Sequence, residues 1–510
     1  MRENPLRAGR AAWLGLAVLT LPIFMMANDV SVLFLALPAI GADLQPQATQ
    51  SLWILHVGEL LGAGLVLTMG RLGDRVGRRR LLLIGLAAYA ASSTLAAFSP
   101  DPATLIVARA LIGASVATIS PSTLSLLRSM FPDPGQFATA VALNLSAFSV
   151  GMALGPPLGG LLLEFFWWGS LFLVNVPVAL LALVTLPFLL PEYRDPNPGR
   201  MDVPSVLSST VALVLLVYGL QELAAQGSRP SLLAAVVVGS ALLWWFVRRQ
   251  RRLKDPLMDP GMFARPIFVL AVTMCFLMLL AAAGTDLFLV QYLQSVLGIS
   301  PGLVGALLIV PAVAGFVGTM LTPVLIRFLT TGVVVGGGML VAVSGLATIL
   351  WGAGTGSAWP LILGTTVTSI GGAPAMTLGS QLALSSVPME RTGSASAVTD
   401  VAAGLGQTLG LALMGSLGLL VYRTSLSGAF TGDVPEAARG SIGGALATAD
   451  DLGSTAGAAL REAAASAFGL GLQVTAGAGG VLLAVAAVVM MAVLRGHRAN
   501  EPEEAVERVG

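Results

Sequence analysis

Five ionisable side chains lie inside long apolar stretches of this sequence. They are Asp29, Glu59, Arg109, Asp286 and Asp400. An ionised group at the centre of a membrane helix costs about 2.5–3.5 kcal/mol on insertion scales. Several such costs would rival the whole stability of an ordinary fold, so we expect these groups to face one another or a water-filled cavity. Carboxylates at several depths would suit a path for protons or cations.

Depth along the apolar stretches indicates which groups can meet. Asp29 and Arg109 fall in the same half of the membrane, and a buried pair would keep Asp29 ionised until the arginine was displaced. His56 and Glu59 are one helical turn apart on one face of the second stretch. Asp400 lies nearer the inner surface. Each acid could also serve only to tie helices together, Arg109 could be a structural hub, and His56 could line a cavity or pack against a helix.

The composition indicates a polytopic membrane protein. The chain has 510 residues, 55% of them hydrophobic and only 10% charged, with a mean hydropathy of +0.86. Soluble domains carry about a quarter charged residues, so this chain lacks the polar surface to cover itself in water. Its net charge of +1 gives no field that would attract nucleic acid. Cys275 is the only cysteine, and His56 is the only histidine in a predicted span. Because these are too few ligands for an ordinary zinc site, we expect no metal site.

The fold class that we predict is all-α, with fourteen transmembrane helices. A crossing needs about 20 apolar residues, and we take the first stretch as a retained helix rather than a signal peptide, because it is longer than a usual signal h-region. The predicted spans are 11–37, 51–69, 81–98, 103–127, 137–163, 168–190, 203–222, 230–248, 266–296, 301–326, 332–352, 358–386, 393–422 and 470–494.

Arginine and lysine then predict the orientation. If the N-terminus is cytoplasmic, 22 of the 27 basic residues fall on the inside, four fall on the outside and Arg109 falls within a span. This distribution follows the positive-inside rule. An even number of spans places both termini in the cytoplasm.

The N-terminal and C-terminal halves of the sequence resemble each other. Asp29 in span 1 and Asp286 in span 9 lie at similar depths in helices that run the same way. Parallel repeats of this kind are found in transporters. We therefore predict a six-helix bundle in 1–195, two additional helices with linkers in 196–255, and a second six-helix bundle in 256–510. The second bundle includes a long outer loop at 423–469, which could hold a short amphipathic hairpin.

Two motifs stand out. "GRLGDRVGRRR" (70–80) places a burst of charge between spans 2 and 3, and "GMALGPPLGG" (151–160) lies within span 5. Glycines four apart let helices approach closely, and two prolines remove backbone hydrogen bonds and bend a helix. The second motif is typical of a moving part, although small-residue packing alone would also explain it.

With these motifs, and with "NDVSVLFLALP" (28–38), "LIVARALIG" (105–113) and "PEYRDPNPGR" (191–200), the chain resembles the major facilitator superfamily. Within it, the sequence is similar to the fourteen-helix drug:proton antiporters, close to bacterial exporters of quaternary ammonium compounds and dyes. The resemblance covers essentially the whole chain. It implies two six-helix bundles plus two extra helices, rocking about a central cavity.

The resemblance also implies roles for individual residues. The loop motif would form a conformational latch in which Asp74 docks on a helix end of the opposite half. Asp29 and Arg109 would serve proton coupling, and Asp400 would bear on substrate recognition, with Glu59, His56 and Asp286 in the cavity. The remaining motif residues are Gly70, Arg75, Gly77, Arg78 and Arg79 of the latch, and Gly151, Gly155, Pro156, Gly159 and Gly160 of the helix 5 antiporter motif.

The expected function is therefore proton-coupled efflux of lipophilic, cationic drugs across the bacterial inner membrane. We expect no cofactor beyond the proton gradient, and drugs, protons and membrane lipids as the partners of a monomer. The alternative on the same fold is a dedicated exporter of an endogenous antibiotic, amino acid or lipid. A membrane enzyme or sensor is disfavoured, because the sequence shows no nucleotide loop, metal cluster, nucleophile–His–Asp set or soluble sensory domain.

Overall fold

A computed structural model describes residues 8–192, 194, 202–226, 229–253, 260–387, 392–429 and 435–494, and the regular structure within these ranges is helical. A 3₁₀ segment at Pro260–Ala264 precedes α10, and a π-helical segment at Tyr292–Val296 extends it. The α-helices are α1 (Arg10–Leu44), α2 (Ala48–Val76), α3 (Arg78–Ala97), α4 (Pro102–Met130), α5 (Pro134–Phe165), α6 (Ser170–Leu173), α7 (Asn175–Leu189), α8 (Val203–Gln226), α9 (Pro230–Gln250), α10 (Pro266–Gln291), α11 (Pro301–Leu307), α12 (Ile309–Phe328), α13 (Thr331–Gly352), α14 (Ala358–Ser385), α15 (Thr392–Ala429), α16 (Glu436–Gly440), α17 (Ile442–Asp451) and α18 (Ser454–Val493).

The helices account for the fourteen predicted spans. Among the described residues, thirteen helical segments are long and apolar enough to cross a membrane; α6 with α7 and α11 with α12 each count as one. The fourteenth is α2, whose two parts, Thr49–Val66 and Thr68–Val76, meet at an angle of 57°. The predicted all-α membrane fold is confirmed.

Two groups of helices pack in the same pattern. In the first group, α1 packs on α5 and α7, and α4 packs on α2 and α3. In the second group, α10 packs on α15 and α18, and α14 packs on α12 and α13. The helices α8 and α9 form a hairpin that is attached to both groups. The boundaries predicted near 195 and 255 fall outside the described residues.

The two ends of the bundle differ. We call the end where α2 gives way to α3, at Arg71–Arg80, the arginine-rich end, and the opposite end, where α1 stops at Leu44, the arginine-poor end. The two helix groups meet closely toward the arginine-poor end. There α5 packs on α11, and Gln294 donates a hydrogen bond to the backbone oxygen of Leu35 at 3.3 Å.

The segment 423–469, for which the sequence predicts a long outer loop that could hold a short hairpin, is largely helical where the structure describes it. Helix α15 continues to Ala429, α16 and α17 form a short helical hairpin, and α18 begins at Ser454. Helices form here because this stretch is rich in alanine, a strong helix former, and because its apolar side chains are covered. Phe468, for example, is buried and stacks on Phe288 with 4.8 Å between ring centroids. The hairpin also contacts α1 and so caps the arginine-poor end.

Candidate functional site

A buried ion pair joins α1 to α4. Nη1 of Arg109 lies 2.5 Å from Oδ2 of Asp29, and the two residues are only 1% and 4% exposed. The Nε–H of Arg109 donates to the backbone oxygen of Ile54 in α2 at 3.2 Å. The contact that the sequence predicts is therefore present, and the arginine also holds a third helix. Removing one partner of such a pair leaves an uncompensated buried charge, so the two side chains depend on each other.

Uncharged polar side chains beside this pair form a chain that the sequence analysis missed. Asn28 donates to the amide oxygen of Asn175 at 3.3 Å, and Asn175 donates to the hydroxyl of Tyr89 at 3.2 Å. All three are buried, and they link α1, α7 and α3. The polar interior of the first helix group thus extends beyond its charges.

Glu59 lies at the seam between the two helix groups. Gln407 of α15 donates to its Oε1 at 3.3 Å, and the other carboxylate oxygen has no partner among the described residues. Glu59 is also within range of electrostatic interaction with Arg109 and Asp29. The sequence predicts Glu59 in a cavity; the structure places it where α2 meets α15, next to the ion pair.

Asp400 shares the face of α15 that meets this seam. Asp400, Gly404 and Gln407 are spaced four and three residues apart, so they lie along one stripe of the helix. Gly404 packs near Ala63 of α2, and Gln407 reaches Glu59. Asp400 is exposed and lies about 10 Å along the axis from Gln407, toward the arginine-rich end. The seam therefore presents two carboxylates at different depths.

Asp286 occupies a different environment from Asp29 despite its similar position in the sequence. Its side chain is exposed, whereas its neighbours Thr285 and Leu287 are buried. On α10 it lies about 140° around the helix from Ala281, which packs against α18. This places Asp286 on the side of α10 away from that outer helix. The ion-pair environment of Asp29 is not repeated there.

His56 contacts the inserted hairpin rather than the ion pair. Its Nε2 lies 2.7 Å from Oε1 of Gln221 in α8, and both side chains are fully buried. The ring also packs on Trp53, with 4.8 Å between centroids. His56 and Glu59 therefore lie on neighbouring turns but reach different partners. A buried glutamine in α8 carries no charge, and the sequence analysis did not single it out.

The glycine motif of α5 serves two interfaces. A Cβ on Gly151, Gly155 or Gly159 would collide with α1, at Phe24, Ser31 and Val32 respectively. One residue further on, a Cβ on Gly160 would collide with the backbone oxygen of Pro301 at the start of α11. Small residues let helices approach closely. One side of α5 therefore holds the helix that carries Asp29, and the other side touches the second helix group.

Pro156 belongs to the same interface between the groups. Its backbone oxygen lies where a Cβ on Gly305 of α11 would be. Because proline inside a helix removes the hydrogen bond to the preceding turn, Pro156 and Pro157 leave carbonyl groups of α5 without their usual helical partners. The close approach of α5 and α11 toward the arginine-poor end thus requires small residues on both helices.

The charged loop at the arginine-rich end bonds within the first helix group. Arg78 forms an ion pair with Asp74 at 2.6 Å, and Arg79 donates to the backbone oxygen of Leu190 at 2.8 Å. The carboxylate of Glu192 accepts from the backbone N–H of Arg79 at 3.1 Å. The docking of Asp74 on the opposite half, which the resemblance implies, is thus replaced here by its pair with Arg78. The reason is geometric, since the close contacts between the groups lie toward the other end.

Gly77 makes this loop conformation possible. Its φ of +112° lies in a region that side-chain-bearing residues rarely adopt. A Cβ there would also lie 2.5 Å from a carboxylate oxygen of Glu192. Gly70 and Arg75 lie in the last turns of α2, where they continue the same charged segment. Glu192, which did not stand out in the sequence, forms ion pairs with Arg79 and Arg80 of this loop.

These residues form one connected arrangement across α1, α4, α2 and α15. Asp29 contacts Arg109, Arg109 contacts the backbone of α2, and α2 carries Glu59 to the seam with α15. The described part of the chain contains no group of three histidine, cysteine, aspartate or glutamate side chains suited to a metal ion. The arrangement joins carboxylates, a guanidinium group and an amide on four helices.

Comparison with known proteins agrees with this architecture. The family model described as "Major Facilitator Superfamily" matches residues 19–411. The multidrug efflux pump LfrA of Mycolicibacterium smegmatis is 40% identical over 493 residues, covering 96% of this chain and 98% of LfrA. The methyl viologen resistance protein SmvA of Salmonella typhimurium is 32% identical over 488 residues, covering 94% and 97%.

A solved structure shares the fold. A bacterial homologue of the human lysosomal transporter Spinster, in an inward-facing and unoccupied conformation, superimposes with a TM-score of 0.67 at 17% identity, covering 96% of this chain and 98% of that one. The family model and the full-length relatives point to a membrane transporter rather than an enzyme. The chain belongs to the major facilitator superfamily.

Proposed function

We propose that this protein is a proton-coupled exporter of lipophilic, cationic compounds that works by alternating access. In this proposal it resides in the bacterial inner membrane, with the arginine-rich end in the cytoplasm. Cargo leaves as protons enter, and an inward proton gains about 2.3 kcal/mol per 100 mV of membrane potential. The drug-efflux relatives support export, and the buried acids support proton coupling.

The observation that carries the proposal is the ion pair of Asp29 with Arg109. A proton that binds Asp29 removes the charge that holds Arg109 in place. Because Arg109 also bonds to the backbone oxygen of Ile54, its release loosens α4 from α2. Helix α2 carries Glu59, which contacts Gln407 in the second helix group. A proton on α1 can thereby change the contact between the two halves.

The positions of the close contacts support alternating access. The halves meet where α5 packs on α11, toward the arginine-poor end. Asp74, whose docking would join the halves at the other end, pairs instead with Arg78 of its own half. In the orientation that we propose, this is the state closed to the outside. Opening it requires the glycine-lined contact of Gly160 with Pro301 to separate.

The carboxylates favour a cationic cargo. Glu59 and Asp400 lie along the same seam, and Asp286 is exposed on α10. In a low-dielectric setting such groups attract cations strongly. The name of SmvA refers to methyl viologen, a dication, which agrees with this preference. Protons and cationic drugs would then compete for the same carboxylates, which couples their movements in opposite directions.

Transport by the purified protein tests the proposal. In proteoliposomes with an imposed pH gradient, we expect the protein to transport ethidium and to move protons in the opposite direction. Asp29→Asn should abolish the drug-dependent proton movement. Asp43→Asn is the matched control, since Asp43 lies on the same helix and accepts a hydrogen bond from Trp168, which asparagine can also accept. Equal proton exchange by Asp29→Asn and the wild type would refute the proposal.

Asp400→Asn tests the cargo. Removing this exposed charge should raise the KM for a cationic drug about tenfold, the effect of losing about 1.4 kcal/mol of charge interaction. The KM for a neutral lipophilic drug should change less than twofold. Equal losses for both cargoes would make Asp400 a structural residue and leave the cationic preference without support.

A further inference from the structure

The hairpin of α8 and α9 is wedged against both halves of the transporter. Val217 of α8 packs in one apolar cluster with Leu60 of α2 and Ala412 of α15. Thr210 lies against Gly64 of α2, with its Oγ1 3.3 Å from where a Cβ would be. A peripheral pair of helices would contact one half at most. Helix α8 therefore belongs to the interface between the two halves.

Gln221 makes two hydrogen bonds from α8 to α2. Its Nε2 donates to the backbone oxygen of Thr49 at 2.9 Å, and its Oε1 lies 2.7 Å from Nε2 of His56. The carbonyl of Thr49 can only accept, so it fixes the orientation of the amide and turns Oε1 toward the histidine. Because Oε1 can only accept, Nε2 of His56 must carry the proton.

The second ring nitrogen of His56 is left as an acceptor. Nδ1 is buried and has no hydrogen-bond partner among the described residues. Adding a proton to it would bury an unpaired charged N–H, which is costly. The ring is therefore neutral, with its proton on Nε2 and a lone pair on Nδ1. Oε2 of Glu59, one helical turn further along α2, is a second buried acceptor. It too has no hydrogen-bond partner among the described residues.

We propose that Gln221 is a positioning residue for transport, which holds His56 as the Nε2–H tautomer so that its Nδ1 and the carboxylate of Glu59 form an acceptor pair for cargo bearing an N–H donor. The inference rests on the proposed function in that it assigns Glu59 to the cargo site. This acceptor pair favours a protonated amine over a quaternary ion, which has no N–H and would be attracted by charge alone. The inserted hairpin thereby takes a direct part in the site through one amide.

¹⁵N NMR tests whether Gln221 sets the tautomer of His56, without any transport measurement. The chain has two histidines, so a His497→Gln background leaves His56 as the sole ¹⁵N-histidine signal. We expect a neutral ring protonated at Nε2. Gln221→Leu should shift the population toward the Nδ1–H tautomer. Gln250→Leu is the matched control, because Gln250 is also a buried glutamine of the hairpin but bonds to Ser205, within the hairpin.

The transport readout separates positioning from folding. In proteoliposomes, Gln221→Leu should raise the KM for doxorubicin, a protonated primary amine, about tenfold, the effect of a weakened hydrogen bond to a charged donor. The KM for tetraphenylphosphonium, which has no N–H, should stay within twofold, as should both values in Gln250→Leu. A general folding defect would change both cargoes together.

Three results would overturn the inference. The wild-type ring could carry its proton on Nδ1 or on both nitrogens, Gln221→Leu could leave the tautomer unchanged, or both cargoes could lose affinity equally. Failure of the proposed function has a different signature. In that case the wild type would move neither cargo against a proton gradient, while the ¹⁵N spectrum would still report whether Gln221 sets the tautomer of His56.

Discussion

Neutralising either member of the Asp29–Arg109 pair should have unequal effects on stability. In Asp29→Asn, Arg109 keeps its charge, because a guanidinium does not lose its proton in proteins. It is 1% exposed, and the backbone oxygen of Ile54 is a neutral acceptor that cannot compensate its charge. We expect a loss of about 3–5 kcal/mol in the free energy of unfolding, the cost of breaking a buried pair from one side.

The opposite substitution should cost less. In Arg109→Gln, Asp29 can take up a proton and become neutral, so the cost is that of an imperfectly bonded buried polar group, about 1–3 kcal/mol. The double variant, Asp29→Asn with Arg109→Gln, places two neutral amides in the same space. It should lie within about 1 kcal/mol of the wild type, because a neutral replacement of a buried ion pair is often harmless.

A double-mutant cycle in mixed detergent micelles measures these differences. The free energy of unfolding of the wild type, the two single variants and the double variant is obtained by denaturant titration, and transport is assayed in parallel. We expect the double variant to recover stability but not proton coupling. If the single costs simply add, to about 4–8 kcal/mol in the double variant, the two side chains act independently and the buried-pair reasoning is refuted.

Three further perturbations test other parts of the structure. Gly160→Ala should push α5 away from Pro301, so the distance between spin labels on α5 and α11 should increase. Transport should fall about tenfold, which corresponds to about 1.4 kcal/mol, and an unchanged distance would contradict this. Gly77→Ala should lower the unfolding free energy by about 1–3 kcal/mol, because of its φ of +112°, and thermal unfolding with equal midpoints would argue against it. Hydrogen bonds from Arg249 hold the pKa of Asp202 below its ordinary value of 3.8. The stability difference between wild type and Asp202→Asn should therefore be present above about pH 4 and decrease as the pH falls through the lowered pKa; a difference that does not change with pH would exclude this cause.

The sequence could predict the features that carry a large energetic cost. Apolar runs must span a membrane, so the helices followed from length and hydropathy alone. Asp29 and Arg109 could be paired because each would be costly if left alone and because both fall at the same depth. The structure places them 2.5 Å apart.

Uncharged polar residues could not be predicted in the same way. A glutamine or asparagine costs far less than a charge in a membrane helix, so Gln407, Gln221 and Asn175 did not stand out among other polar residues. Their importance arises from their partners on distant helices, and the partner of Gln407 is 348 residues away. Sequence spacing alone contains no information about such a contact.

The partner of Asp74 also lies beyond sequence reasoning. Asp74 can pair with Arg78 four residues away or dock elsewhere, and both contacts are worth about 1 kcal/mol or less at an exposed site. Such a small difference depends on how the halves are arranged. How much of 435–469 is helical depends on the fold for a related reason, since the alanines of α16 and α17 cover a surface that exists only once α15 and α18 are in place.

Helix α5 is in close contact with α1 on one side and with α11 on the other. Three of its glycines lock it to the helix that bears Asp29, and the next glycine rests on the start of α11. Any tilt that lifts it from the second half must drag α1 along, and with it the carboxylate that meets Arg109. In the mechanism that we propose, separating α5 from α11 and disturbing Asp29 would then be a single mechanical event, which would leave few ways for protons to cross without cargo.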